Sequence, residues 1–172
     1  MAKLVAAWMA ATGLTGSTVV GHSVGAQTAA ELAARHPGTV AKLVLVGPTV
    51  DRGARSAAAQ LGRWLANAPA EPPSFNALAA YEVAEMGPAR MLRSFRHAVG
   101  HAVEDVVGDI RCPVLLVRGE GDRVAPEGWL RELQRRRPSS RVAVVSGGAH
   151  TIVYSHPVDL AGLILDQPPT AR

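Results

Sequence analysis

The sequence predicts an α/β fold: a mostly parallel sheet of about four strands, interrupted by a helical insertion. Three observations carry this expectation. Four short apolar runs, at 17–21, 40–46, 113–117 and 141–145, have the length and β-branched content of buried strands. Helical stretches rich in alanine or leucine stand between them. Glycine or proline punctuates nearly every junction.

In chain order, residues 4–12 (LVAAWMAAT) read as a helix ended by Gly13, and 17–21 (STVVG) as a short strand. A helix over 24–36 stops at Pro37-Gly38, and 40–46 (VAKLVLV) is apolar enough for a strand covered on both faces. Two strands joined by one helix make a βαβ unit. From about 51 to 108 no strand is visible, and helices are expected at 53–68, 74–85 and 89–99, separated by proline and glycine breakers. This reads as a short lid over one end of the sheet within a single domain spanning 1–172. Strands resume at 113–117 (PVLLV) and 141–145 (RVAVV), with a helix at 127–137 between them. A last helix over 157–165 precedes a frayed tail at Gln167-Pro168-Pro169.

Composition narrows the function classes. The 172 residues are 48% hydrophobic and 19% charged, enough for one domain with a core. The net charge of +4 has its densest cluster at Arg135-Arg136-Arg137, without interleaved aromatics, so it reads as a solvated helix end rather than a nucleic-acid surface. The one cysteine, Cys112, excludes an internal disulfide and reads as a half-buried structural thiol. No apolar run approaches the ~18 residues needed to span a membrane, and no signal-peptide pattern opens the chain, which makes cytoplasm the default expectation.

Three candidate residues fall on one edge of this plan, because loops at the carboxyl ends of parallel strands gather there. Ser23 lies in VVGHSVG, between strand and helix; Asp122 follows PVLLVRG; His150 follows RVAVVSGG. A serine hydroxyl becomes a useful nucleophile when a histidine accepts its proton and a carboxylate orients that histidine. Gly21 and Gly25 would admit the tight turn, and the Val24 N–H at the helix start would donate to an oxyanion. The competing role for Ser23 is a plain helix cap. Glu120 competes with Asp122 as the acid, its other role being to face solvent or pair with an arginine.

Other histidines read as structural. His22 is expected to pack or hydrogen-bond behind the nucleophile, His36 to sit at a helix end, and His156 to be structural. His97 and His101 could share a face with Glu104 or Asp105 near a metal, but without an H-E-x-x-H core a surface pair is the expectation. Trp64, Leu65, Phe75, Leu78, Met86, Met91, Leu92 and Phe95 are expected mostly to pack in the core or lid, with a few facing an acyl pocket.

GHSVG at 21–25, ELAARHPGTVAKLVLVGPTVD at 31–51, GEGDRVAP at 119–126 and GGAHTIVYSHP at 147–157 together resemble the α/β-hydrolase fold family, along nearly the whole chain. The resemblance implies a nucleophile elbow at Ser23, Asp122 as acid, His150 as base, and hydrolysis of a small-molecule acyl compound without metal or organic cofactor. It also implies strands ahead of the elbow and a loop giving a second oxyanion donor, where here only 16 residues precede the first strand. Two readings follow. One is a carboxylic ester hydrolase represented by the carboxyl-terminal part of its fold. The other is a catalytically impaired homologue that acts through association, either with itself or with an amino-terminal segment. For the chain as given, weak or no esterase activity and a tendency to associate are expected.

Overall fold

A computed structural model describes residues 1–165; the expected frayed tail at 167–169 lies outside the described residues. The elements are α1 (Ala2–Ala11), β1 (Ser17–His22), α2 (Val24–Arg35), β2 (Val40–Val46), α3 (Ala57–Asn67), α4 (Pro73–Met86), α5 (Pro88–Gly100), α6 (Val103–Val106), β3 (Val114–Gly119), α7 (Glu127–Arg136), β4 (Arg141–Val145), α8 (Ile152–Ser155) and α9 (Pro157–Leu165). The described strands form one sheet in the order β1-β2-β3-β4, and every pairing is parallel.

The alternation of side chains across the pleat divides the core in two. Leu43 and Leu45 of β2, with Val114 and Leu116 of β3, face a layer built from α1, α2, α6 and α7. Val44, Val46, Leu115 and Val117 face the other way, toward Ile152 of α8 and Leu160 of α9. All of β3 is buried, whereas β1, at the end of the described sheet, leaves Val20 44% exposed. That contrast follows from position: β3 has neighbours on both sides and both faces, and β1 is bonded to β2 alone among the described strands.

Several boundaries differ from the sequence reading, among them β3, which runs to Gly119 rather than 117, and some differ for identifiable reasons. The helix expected from 53 begins at Ala57, because Ser56 caps it by accepting from the Ala59 N–H at 3.1 Å. Ahead of it, Asp51 accepts from the Gly53 N–H at 2.6 Å and closes a separate turn at Arg52–Ala54. The short helices α6 and α8 were not expected; at four residues each they offer no full period of apolar spacing to read. The arginine cluster is only partly a solvated helix end: α7 stops at Arg136, and Arg137 donates to the Cys112 carbonyl at 2.9 Å.

Candidate active site

The three carboxyl-terminal loops converge. The turn from β1 into α2 is tight enough that Ser23 takes φ 53 and ψ −121, the sole non-glycine residue with positive φ among the described residues. A residue held there costs of order 1–3 kcal/mol and persists only when its surroundings enforce it. The enforcement is visible: the Ser23 N–H donates to the Val46 carbonyl of β2 at 2.9 Å. A Cβ at Gly21 would stand 2.7 Å from the Ala29 Cβ and 2.8 Å from the Ala26 Cα, so only glycine lets α2 pack on the end of β1. Gly25, expected to be required on the same ground, has open space around a would-be Cβ; the steric requirement holds at Gly21 and not at Gly25.

Ser23 occupies the N-cap position of α2, yet its side chain makes no capping bond. Its Oγ instead lies 3.0 Å from His150 Nε2. His150 Nδ1 in turn lies 3.0 and 3.1 Å from the two Asp122 oxygens. A carboxylate can only accept, so Nδ1 carries the proton and Nε2 is left as acceptor for the serine hydroxyl. The Asp122 side chain is fully buried. Its Oδ1 also accepts from the Val124 and Ala125 N–H groups at 2.9 Å each, which provides for the buried charge.

The acid loop is braced from beneath by Arg118, whose guanidinium donates to the Asp122 carbonyl at 2.8 Å and the Ala125 carbonyl at 3.1 Å. Glu120 is exposed and touches no part of His150; it accepts from Ser146 Oγ at 2.9 Å and the Gly147 N–H at 3.0 Å, which together hold its carboxyl below the ordinary range. It faces solvent, the first of its two expected roles, with a hydroxyl and a peptide group as partners.

His22 does lie behind Ser23. Its Nε2 donates to the His150 carbonyl at 3.0 Å, and the two rings sit 4.9 Å apart. Burial, followed by the neighbouring His150, lowers its pKa from 6.5, so the ring stays neutral at physiological pH. His36 ends α2, as expected, and His156 follows the short helix α8. The residues weighed against a metal site do not gather: His97 is exposed, His101 bonds Glu31 at 3.1 Å, Glu104 bonds Arg55 at 2.5 Å, and Asp105 meets Arg136 at 3.4 Å.

Gly47, immediately after β2, escaped the sequence reading. At φ +50 it presents its bare Cα to the His150–Asp122 pair, and a Cβ there would fall 2.9 Å from the imidazole Cε1 and Nδ1. The signal was a glycine at a strand's carboxyl end, on the edge where the three candidates meet. Asn67 and Glu71 were also missed; both are polar and buried in the helical stretch.

A cavity of about 340 Å³ opens beside Ser23 and His150, walled by Val24, Val50, Trp64, Phe75, Phe95, Val99 and Val124. No Asp, Glu, Lys or Arg lines it among the described residues. Of the eight apolar residues singled out between β2 and β3, Trp64, Phe75 and Phe95 reach this cavity. Leu65, Leu78, Met86 and Leu92, expected to pack inside, are instead exposed, because α4 has no buried residue and only one face of α3 and α5 is covered. Cys112 is half-buried, and burial pushes its thiol pKa up, as suits a structural cysteine.

A curated relative, the pimeloyl-[acyl-carrier protein] methyl ester esterase of Aromatoleum aromaticum, is 29% identical over 183 positions, covering 87% of this chain and 73% of its own. Among solved structures, MGS-MChE2, an α/β hydrolase from the sediment metagenome of the Mar Chica lagoon in Morocco, superposes with a TM-score of 0.71 at 15% identity. It covers 96% of this chain, which spans 66% of that one. The esterase RhEst1 from Rhodococcus sp. ECU1013 gives a TM-score of 0.64 at 22% identity, over 95% of this chain and 70% of its own. A family profile described as the alpha/beta hydrolase fold matches residues 1–86, half of the sequence. With this match, the chain belongs to the alpha/beta hydrolase fold family of enzymes.

Proposed function

We propose that this chain is a serine hydrolase of carboxylic esters, with Ser23 as nucleophile, His150 as base and Asp122 as orienting acid. The observation that carries this reading is the continuous bond chain from Ser23 Oγ through His150 to Asp122, opening onto an apolar cavity. In the first step Ser23 Oγ attacks the ester carbonyl while Nε2 of His150 takes its proton, and the imidazolium is stabilised by Asp122. The developing oxyanion accepts from the Val24 N–H, which opens α2 where first-turn N–H groups lack intrahelical acceptors. His150 then returns the proton to the leaving alcohol, and water attacks the acyl-enzyme by the same relay.

The helices α3 to α5 serve as a lid whose inner side forms the acyl pocket. With no charged side chain on its wall, the pocket suits an uncharged small or medium acyl or alkyl group. The name of the curated relative, a methyl ester esterase, points to the same reaction class. Reaction with an alkyl fluorophosphonate tests this reading: a single adduct on the Ser23 peptide, lost in Ser23→Ala, is expected. Absence of that adduct, or its survival in Ser23→Ala, would sink it.

The end position of β1 in the described sheet favours a second reading alongside the first, namely that the chain associates through this edge. Sedimentation velocity across a concentration series tests it, and a strictly monomeric species would refute it.

A further inference from the structure

Asn67 and Glu71 are both more than nine-tenths buried, at 2% and 7% exposure, and both lie at the junction of α3 and α4. Their side chains bond one another, Asn67 Nδ2 donating to Glu71 Oε1 at 2.7 Å. Each also reaches a catalytic loop. Asn67 Oδ1 accepts from the Arg123 N–H at 3.1 Å, one residue after Asp122. Glu71 Oε1 accepts from the Thr151 N–H at 2.9 Å, one residue after His150, and its Oε2 accepts from the Thr151 hydroxyl.

A buried carboxylate is expensive, and an apolar side chain of similar size would fill the same space at lower cost. What the carboxylate and amide supply is directed acceptance from two main-chain N–H groups, one beside each member of the histidine–aspartate pair. We propose that Asn67 and Glu71 are a positioning pair: together they fix the Asp122 and His150 loops relative to one another, so that Nε2 stays within reach of Ser23 Oγ. The inference rests on the serine hydrolase reading given above. It also makes α3 and α4 part of the chemistry, since Trp64 and Phe75 on those helices line the cavity beside Ser23.

The test is the kinetics of Ser23 modification by an alkyl fluorophosphonate, resolved into the maximal rate and the half-saturating concentration, on the full chain. In Glu71→Ala the maximal rate should fall about tenfold to a hundredfold with the half-saturating concentration nearly unchanged, the signature of a misplaced base. Glu71→Gln should recover most of the rate, because its amide oxygen can accept from Asn67 and Thr151 N–H while its nitrogen donates to the Thr151 hydroxyl. Asn67→Ala should resemble Glu71→Ala, and Thr151→Val, which deletes only the hydroxyl bond, should show a smaller loss of the same kind; these two decide the matter if Glu71→Ala does not fold. A wild-type rate in folded Glu71→Ala, or a loss in Glu71→Gln equal to that in Glu71→Ala, would overturn the inference while leaving Ser23 as nucleophile. A wild-type chain that takes no label at Ser23 would remove the hydrolase reading and this inference with it.

Discussion

The sheet and the helical stretch between β2 and β3 are held together by different forces. β2 and β3 are secured by interlocking apolar side chains, with Leu43, Val44, Leu45, Val46, Leu116 and Val117 wholly excluded from solvent. In α3 to α5 and their connections, the buried residues include the polar Gln60, Asn67 and Glu71, while Leu61, Leu65, Leu78, Tyr81 and Leu92 face out. Gln60 donates to the Ala54 carbonyl at 2.9 Å, and Gln27 of α2 bridges the Ala98 and Thr49 carbonyls at 2.9 Å each. Area-driven packing tolerates few changes, whereas a layer pinned at a few polar points can change its inner wall without unfolding the sheet. The scaffold and the pocket are therefore separable in their demands on sequence.

That separation can be broken most forcefully where the sheet touches the chemistry. Gly47→Ala should reduce the maximal rate of Ser23 labelling by about a hundredfold or more, since the added methyl would displace the His150 ring; labelling kinetics beside a circular dichroism spectrum check this. Leu116→Ala, in the wholly buried strand β3, should cost about 2–5 kcal/mol of folding stability by denaturant titration. Leu78→Ala, on the exposed side of α4, should stay within about 0.5 kcal/mol of wild type. Trp64→Ala should change the preferred ester chain length several-fold in a series of p-nitrophenyl esters, with little change in melting temperature.

The smallest expected effect concerns pH. His22 binds a proton less readily folded than unfolded, so below 6.5 the unfolded chain takes up more protons and its share of stability is lost as pH falls. Melting temperatures between pH 7.5 and 5 should fall less steeply in His22→Gln than in wild type. An identical slope would show that His22 has no such part.

The same division explains what could be read beforehand. Strands β2 and β4 were legible to the residue, because apolar runs of strand length bounded by turn residues admit few alternatives. Ser23, Asp122 and His150 were legible as candidates because each follows a strand, and their meeting depends only on the sheet being parallel. Gly47, Asn67 and Glu71 were not, for their importance lies in neighbours distant in the chain: Glu71 bonds a residue 80 positions away. The leucines between β2 and β3 were misjudged because hydrophobicity alone does not say which face of a helix finds a partner. Gly25 was overvalued because a repeated letter in a motif was given one steric purpose.

The adjacent residues His22 and Ser23 take hold of one histidine at different places, His22 at its main-chain carbonyl and Ser23 at its ring. With Asp122 on the other nitrogen, His150 is tethered at three points, two on its ring and one on its main chain. A half-turn of the imidazole, which exchanges its two nitrogens, would break the bonds to Ser23 and Asp122 at once. The ring is thus a fixed link between Ser23 and Asp122 and not a swinging arm.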